Sequence, residues 1–308
     1  MILTLTLNPA IDVELTTDRI IYDDRSYIRS ESFQPGGKGV NQAITLQGYG
    51  ANVEAVAPCG GPMGERFANL IRTKGVDVTL IPVAGDLRRN LAITDTNGLT
   101  LKLDQRGPEF TAEEVARIEA AVVGRLAEAS WLTLMGSIPP GVPGEIYARL
   151  IARARDLGVR TLLDSSGEPV RGALAAKPTI AKPNRPEAER LLGRGLLSEF
   201  DFLKAAGELH AMGPENVILS LGAQGAIAVS GEGRWRATTQ PVSGGSPIGA
   251  GDVLGATVIF ALEQGEPFVD AFRLGVAAGM VAASRPGLGS GSLEDVRAVL
   301  GDVTIREV

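Results

Sequence analysis

The sequence predicts an α/β fold, with a mostly parallel sheet covered on both faces by helices and a small second β-sheet set apart from it. From about residue 111 onward, helical and strand patterns alternate along the chain. Before that point, two strand-like stretches that are only half apolar break the rhythm. The 308 residues are 44% hydrophobic, enough for a substantial core, and a single domain spanning 1–308 is expected.

In chain order, "MILTLTLNPAID" has no basic segment ahead of its apolar run and is expected to be a strand rather than a signal peptide. "DVELTTDRIIYDDRSYIRSESF" is strand-like, and the glycines of "PGGKGVNQA" then open a helix carrying Lys38 and Asn41. "RRNLAITDTNGLTLKLDQRG" contains two alternating runs around Asp95-Thr-Asn-Gly98, a hairpin signal. These inserted segments, about 12–35 and 88–107, are expected to form a small sheet serving as a lid, a dimer surface or both. "TAEEVARIEAAVVGRLAEA" begins with a Thr111/Glu114 capping box and aligns Val115, Ile118, Val122 and Leu126 on one helical face. "WLTLMG" is a short buried strand, and "EIYARLIARARDLG" is a helix stopped by Gly158. "VRTLLDSS", "TIAKPN", "NVILSLG" and "AIAVS" supply further strands, "RPEAERLLG" a helix, and two long helices fill much of 251–284.

Composition removes several kinds of chemistry. Net charge is −6 with no basic run, so neither nucleic acid nor an anionic membrane is an expected partner. No apolar run has the length of a membrane span. One cysteine, Cys59, excludes an internal disulfide, fits a reducing cytoplasm and is expected to be buried among apolar groups. The single histidine, His210, falls near the end of an amphipathic helix and reads as a surface residue. A His-based triad or a multi-His zinc site is therefore absent. Any chemistry must use carboxylates, Lys, Arg, hydroxyls and backbone amides.

Ligands of open α/β sheets bind where strands end and helices begin. Four such points are chemically loaded. At "PGGKGVNQA" the backbone is bare, a helix N-terminus favours an anion and Lys38 adds charge; an ordinary glycine turn with a surface lysine reads equally well. In "AKPNRPEAE", Pro186 suits a first helical turn, where Glu187 is most simply a partner of the helix dipole. The functional alternative has Asn184 and Glu187 holding Mg²⁺ through water, with Lys182 near a phosphate. "SLGAQGA" is a tight hairpin whose edge could meet a nucleotide. In "SPIGAGDVLGA", Gly249, Ala250 and Gly251 can aim successive amides at one point, and Asp252 beside them can accept a proton from a hydroxyl. A plain N-terminal Asp would leave both glycines without a reason. The chain has neither G-x-x-x-x-G-K-[ST] nor a G-x-G-x-x-G after its first strand. Anion-cradling glycines, a metal-capable Glu and a base-capable Asp together point to phosphoryl transfer to an alcohol.

In this order, "TLNPAID", "PGGKGVNQA", "LRRN", "GSIPPGV", "LDSSGE", "KPNRPE", "ILSLGAQGA" and "GAGD" make the chain resemble the ribokinase-like (PfkB-type) carbohydrate kinases, in the phosphofructokinase and tagatose-6-phosphate kinase branch. The resemblance covers nearly the whole chain. It implies a three-layer α/β domain with a small β-lid that is often a dimer surface, hence a homodimer through the lid. It implies Asp252 as the base and Gly249, Ala250 and Gly251 as the anion hole. Asn184 and Glu187 would organise Mg²⁺ and the ATP phosphates beside Lys182, and Ser220, Gly222 and Gly225 would border the nucleotide. Asp12, Gly37, Lys38 and Asn41 would hold the sugar, with Arg88 and Asn90 gripping its phosphate from the lid. A monovalent cation near the anion hole is common among such kinases.

Some positions depart from the pattern. Val253 stands where Ser or Ala is commoner, Pro247-Ile248 where Thr-Val is usual, and Arg88 lacks a preceding Thr. "TLNPAID" and Lys38 lean towards 1-phosphofructokinases and tagatose-6-phosphate kinases; "LDSSGE", "CGGPMGE" and "GVAAG" lean towards minor-type 6-phosphofructokinases. The expected reaction is fructose 1-phosphate to the bisphosphate, with fructose 6-phosphate or tagatose 6-phosphate as alternatives. A kinase of an unphosphorylated sugar and a catalytically silent sugar-phosphate sensor are more distant ones.

Overall fold

A computed structural model of the chain describes residues 1–167, 169–240, 245, 248–285 and 289–308. Glu168, Ser246 and Pro247, which belong to two of the motifs, lie outside the described residues. The chain opens with β1 (Ile2–Thr6), β2 (Ala10–Thr17) and β3 (Ile28–Gly36), followed by α1 (Lys38–Gly48), β4 (Val53–Cys59), α2 (Gly61–Thr73) and β5 (Asp77–Pro82). The hairpin β6 (Arg88–Asp95) and β7 (Thr100–Asp104) precedes α3 (Ala112–Val123), β8 (Trp131–Met135), α4 (Ile146–Asp156) and β9 (Arg160–Asp164). Next come α5 (Pro169–Ala175), β10 (Ile180–Ala181), α6 (Arg185–Leu192), α7 (Glu199–Ala211), β11 (Asn216–Ser220), β12 (Ala226–Ser230) and β13 (Gly233–Thr239). The last elements are α8 (Ala250–Glu263), α9 (Phe268–Ala283), α10 (Leu293–Ala298) and β14 (Val303–Glu307).

Ten strands form one sheet in the order β14-β13-β12-β11-β10-β9-β8-β1-β4-β5. It is parallel from β11 to β5 and antiparallel at the β12–β14 edge. A parallel sheet must be covered on both faces, and the core accordingly divides in two. In β4, Val53, Ala55 and Ala57 face the core built with α1, α2, α8 and α9, while Val56 faces the core built with α3 to α7. The alternation follows from the two-residue period of a strand. The second sheet, β3-β2-β6-β7, is built from the segments expected to form it. Its central pair, β2 and β6, is parallel, and this places Asp12 opposite Asn90.

Two local expectations change. The helix begun at Thr111 ends at Val123, and a 3-10 turn at Leu126–Glu128 follows. Gly124 weakens the helix there, yet Leu126 remains fully buried. Cys59 ends β4 half-buried rather than enclosed in the core, and its thiol donates to the Gly64 carbonyl. His210 lies in the last turn of α7 as expected, hydrogen-bonded to the Glu215 carbonyl. Among the described residues, no helix is long and apolar enough to cross a membrane.

Candidate active site

Three neighbouring parallel strands deliver charge to the same end of the large sheet. Asp164 is the last residue of β9, Lys182 follows β10, and Ser220 ends β11. In a parallel sheet the residue at the strand's C-terminal end leaves the pleat for the crevice beyond it. Lys182 Nζ lies 2.6 Å from Asp164 Oδ2, and both side chains are almost wholly buried. Lys38, the first residue of α1, places its Nζ 2.6 Å from Asp164 Oδ1 and 2.9 Å from Glu187 Oε1. Burial opposes ionisation of Asp164, but the charges of Lys182 and Lys38 hold its carboxyl below the usual range. Burial also disfavours the Lys38 ammonium, and Asp164, Glu187 and Asp252 more than reverse that, raising its pKa.

Glu187 has two structural roles at once. With Asn184 it forms a capping box on α6: Asn184 Oδ1 accepts from the Glu187 amide, and Glu187 Oε2 accepts from the Asn184 amide, both at 2.9 Å. Its other oxygen takes Lys38. The helix-start reading of this carboxylate is thus realised in the geometry, and the cap fixes Oε1 toward the lysine.

Asp252 sits in the first turn of α8, 6% exposed. Gly249 caps that helix with φ 76°, a left-handed conformation that favours glycine. The amides of Ala250 and Gly251 come too early in the helix to find a partner within it, so they are available to an anion. A Cβ on Gly251 would stand 3.4 Å from Lys182 Nζ, so the bare backbone brings this turn against the lysine. Asn41, one turn along α1 from Lys38, donates from Nδ2 to Asp252 Oδ2 at 2.8 Å. Burial, reinforced by the charge of Asp164, pushes Asp252 up to about 6. A carboxylate with that value is ionised at neutral pH and is a stronger base than an exposed one.

These groups open onto a cavity of about 740 Å³. Lys38, Asp164, Lys182, Asn184 and the Gly249–Asp252 turn line one end, and Ser220, Gly222, Gly225, Thr239 and Met280 line the rest.

The small sheet carries a second cluster. Asn90 Nδ2 donates to Asp12 Oδ1 at 2.8 Å, and burial raises the Asp12 pKa. A Cβ on Gly36 would fall 2.3 Å from the Asp12 carboxylate, and one on Gly37, at φ 115°, would fall 2.7 Å from Thr6. Arg88 Nε donates to the Asn8 carbonyl at 3.2 Å and Nη1 to the Gln105 carbonyl at 3.0 Å. Arg88 also borders a cavity of about 600 Å³ with Asn8, Arg106 and Ser137. The start of α1 joins the two clusters, because Gly36 packs against Asp12 on the small sheet while Lys38 and Asn41 reach Asp164, Glu187 and Asp252.

The structure therefore groups Asp252, Gly249, Ala250, Gly251, Lys182, Asn184, Ser220, Gly222 and Gly225 around one cavity. It groups Asp12, Arg88 and Asn90 on the small sheet, while Gly37, directly after β3, packs against Thr6, Asn8 and Pro9. Lys38, expected to hold the sugar, pairs with Asp164 and Glu187 and lines the large cavity. Asp164 was missed. The signal was available, an acid closing the apolar run "TLLD" at a strand's C-terminal end.

Comparison with known proteins adds a family. Residues 5–295 match the pfkB family carbohydrate kinase model. The chain is 32% identical over 301 residues to ATP-dependent 6-phosphofructokinase isozyme 2 of Escherichia coli, covering 97% of each. It is 29% identical over 309 residues to 1-phosphofructokinase of Borreliella burgdorferi, covering 100% of this chain and 99% of that one. A solved structure of phosphofructokinase-2 from Escherichia coli in complex with potassium is 31% identical, with a TM-score of 0.91 over 97% of this chain and 98% of that one. The chain belongs to the pfkB family of carbohydrate kinases.

Proposed function

We propose that this kinase is an ATP-dependent phosphofructokinase, converting a fructose monophosphate and ATP to fructose 1,6-bisphosphate and ADP. The observation that carries the reading is Asp252, a buried carboxylate held by Asn41 on the wall of the cavity that Lys38 and Lys182 also line. The free primary hydroxyl of the sugar attacks the γ-phosphorus; the new P–O bond forms as the bond to the ADP oxygen breaks. Asp252 takes the hydroxyl proton. The Ala250 and Gly251 amides and Lys182 meet the charge on the transferred group, and Lys38 joins them once it exchanges a carboxylate for phosphate oxygens. The phosphate-sized end of the large cavity, with two lysines and a helix N-terminus, suits the ATP phosphates. Among the described residues no three carboxylate, His or Cys side chains cluster as direct metal ligands, and the oxygens of Asp164, Asn184 and Glu187 are engaged by Lys38, Lys182 and the α6 cap. These residues would therefore organise Mg²⁺ through water, and the ion would neutralise phosphate charge. The small sheet excludes water from the reacting groups. Its homodimer role would account for Tyr22, Tyr27 and Ile28, exposed on and beside it.

The two exocyclic arms of fructofuranose are related by a pseudo-two-fold axis. A site with the base at one end and a phosphate grip at the other can therefore act on fructose 1-phosphate or fructose 6-phosphate and give one product. Arg88, Asn90 and the cavity they border provide that grip. Fructose 1-phosphate is the preferred substrate in this reading, on the strength of "TLNPAID". Fructose 6-phosphate is the second, supported by the pairing of Lys38 with Asp164 and Glu187, which weakens the lean that this lysine lends to fructose 1-phosphate. The test is ATP turnover with fructose 1-phosphate, fructose 6-phosphate, tagatose 6-phosphate and the free sugars. Both fructose phosphates should outpace every free sugar; faster turnover of free fructose or ribose refutes the phosphate grip.

A further inference from the structure

We infer that Arg236 is a positioning residue for the nucleotide, whose guanidinium fastens the 221–225 turn to the end of β13 and so sets the affinity for ATP. This rests on the reading of the 740 Å³ cavity as the nucleotide site. The other buried charges among the described residues have their places. Asp164, Lys182, Glu187 and Asp252 form the active site, Glu114 caps α3, and Asp95 organises the β6–β7 turn. Arg236 is 5% exposed, does not line the cavity, and takes no part in the chemistry above.

Its bonds go to backbone carbonyls. Nη1 donates to Ala226 O at 3.2 Å and to Ala237 O, and Nη2 donates to Gln224 O. Those three carbonyls belong to the 221–225 turn, the first residue of β12 and the strand β13. Glu199 at the start of α7 balances the charge, with Oε2 3.8 Å from Nε, and its Oε1 pairs with Arg306 on β14. Three carbonyls converging in a small space need several donors in one plane, which a guanidinium supplies and an ammonium cannot.

Two of the segments that line the cavity meet at this contact. Leu221, Gly222, Ala223 and Gly225 line it from the turn, and Thr239 and Gln240 line it from the exit of β13. The fit has no slack. Gly225 is left-handed at φ 85°, and a Cβ there would lie 2.2 Å from Ala237 O and 3.2 Å from Arg236 Nη1. Loss of the guanidinium leaves carbonyls unpaired beneath the turn, and the turn must shift or hydrate. Among the described residues, the hydrogen bonds of Asp252, Asp12, Arg88 and Asn90 go elsewhere than to Arg236.

The test is steady-state kinetics of the full-length enzyme with fructose 1-phosphate and fructose 6-phosphate, comparing wild type, Arg236→Lys, Arg236→Met and Gly225→Ala. KM for ATP should rise at least about ten-fold in each variant, while in the two Arg236 variants sugar-phosphate KM and kcat at saturating ATP stay within about two-fold. Combining Arg236→Met with Gly225→Ala should add little, because both loosen one contact. A general loosening of the fold would instead move both KM values and kcat together, and that result overturns the inference. So does an unchanged ATP KM in Arg236→Lys or Gly225→Ala, which serve if Arg236→Met does not fold. If wild type shows no saturable ATP dependence, the nucleotide reading itself fails. If wild type saturates normally and the variants match it, only the role of Arg236 fails.

Discussion

Replacing Asp252 by Asn should make the free enzyme more stable at neutral and alkaline pH while disabling it. The side chain is 6% exposed, and burial together with Asp164 raises its pKa from 3.8 to about 6. Folding therefore favours the protonated acid. Above pH 6 the folded protein carries the full cost of a buried carboxylate. As pH falls from about 6 towards 3.8 that cost is relieved, because the acid protonates in the folded state before it would in the unfolded chain. The gap between the two values, at about 1.4 kcal/mol per unit, is about 3 kcal/mol at most. Asn mimics the neutral acid in shape and can still accept from Asn41 Nδ2, so it should recover about 2–3 kcal/mol at about pH 8. Equilibrium urea unfolding of both proteins, run from about pH 8 down to about pH 5, measures this. The variant's advantage should be largest at the alkaline end and shrink as pH falls through about 6. Equal stability at the alkaline end, or an advantage that does not change with pH, would refute the reasoning.

Two further substitutions probe the separate clusters. Glu187→Gln should raise the Mg²⁺ concentration needed for half-maximal rate, because it removes a charge from the metal-organising oxygens and weakens the hold on Lys38; an unchanged Mg²⁺ titration would leave Glu187 as a helix cap alone. Arg88→Ala should raise the phosphosugar KM at least about ten-fold with ATP KM little changed, since charge-assisted bonds are worth about 1.5–3 kcal/mol each. A parallel rise in both KM values would instead show that its bonds to Asn8 and Gln105 matter only for holding the small sheet.

The site was legible in sequence wherever glycine or proline punctuates a strand-to-helix junction. Gly249 and Gly251 around Asp252, and Pro183 and Pro186 around Asn184, announced backbone that must stay open or turn sharply. Asp164 carried no such mark: it ends an apolar run and resembles any strand terminus until Lys38 and Lys182 meet it. The partners of Lys38 lie 126 and 149 residues away, which local spacing cannot reveal. At the antiparallel edge the β11–β12 hairpin was legible at "SLGAQGA", but β13 and β14 were not, and β13 for a related reason. In "RWRATT" a charged residue, Arg236, occupies an inward position, so the alternation expected of a half-buried strand is broken by the residue that holds the neighbouring turn.

The account rests on Asp252 as the group that takes the proton, and the most direct measurement is phosphoryl transfer by Asp252→Asn at saturating ATP and fructose phosphate. Nucleotide affinity, read by equilibrium binding, should be nearly unchanged, because the lysines and the glycine turn remain. The rate should fall by roughly 10²–10⁴-fold, the usual worth of a general base. A folded variant that binds nucleotide and keeps most of its kcat would contradict the account.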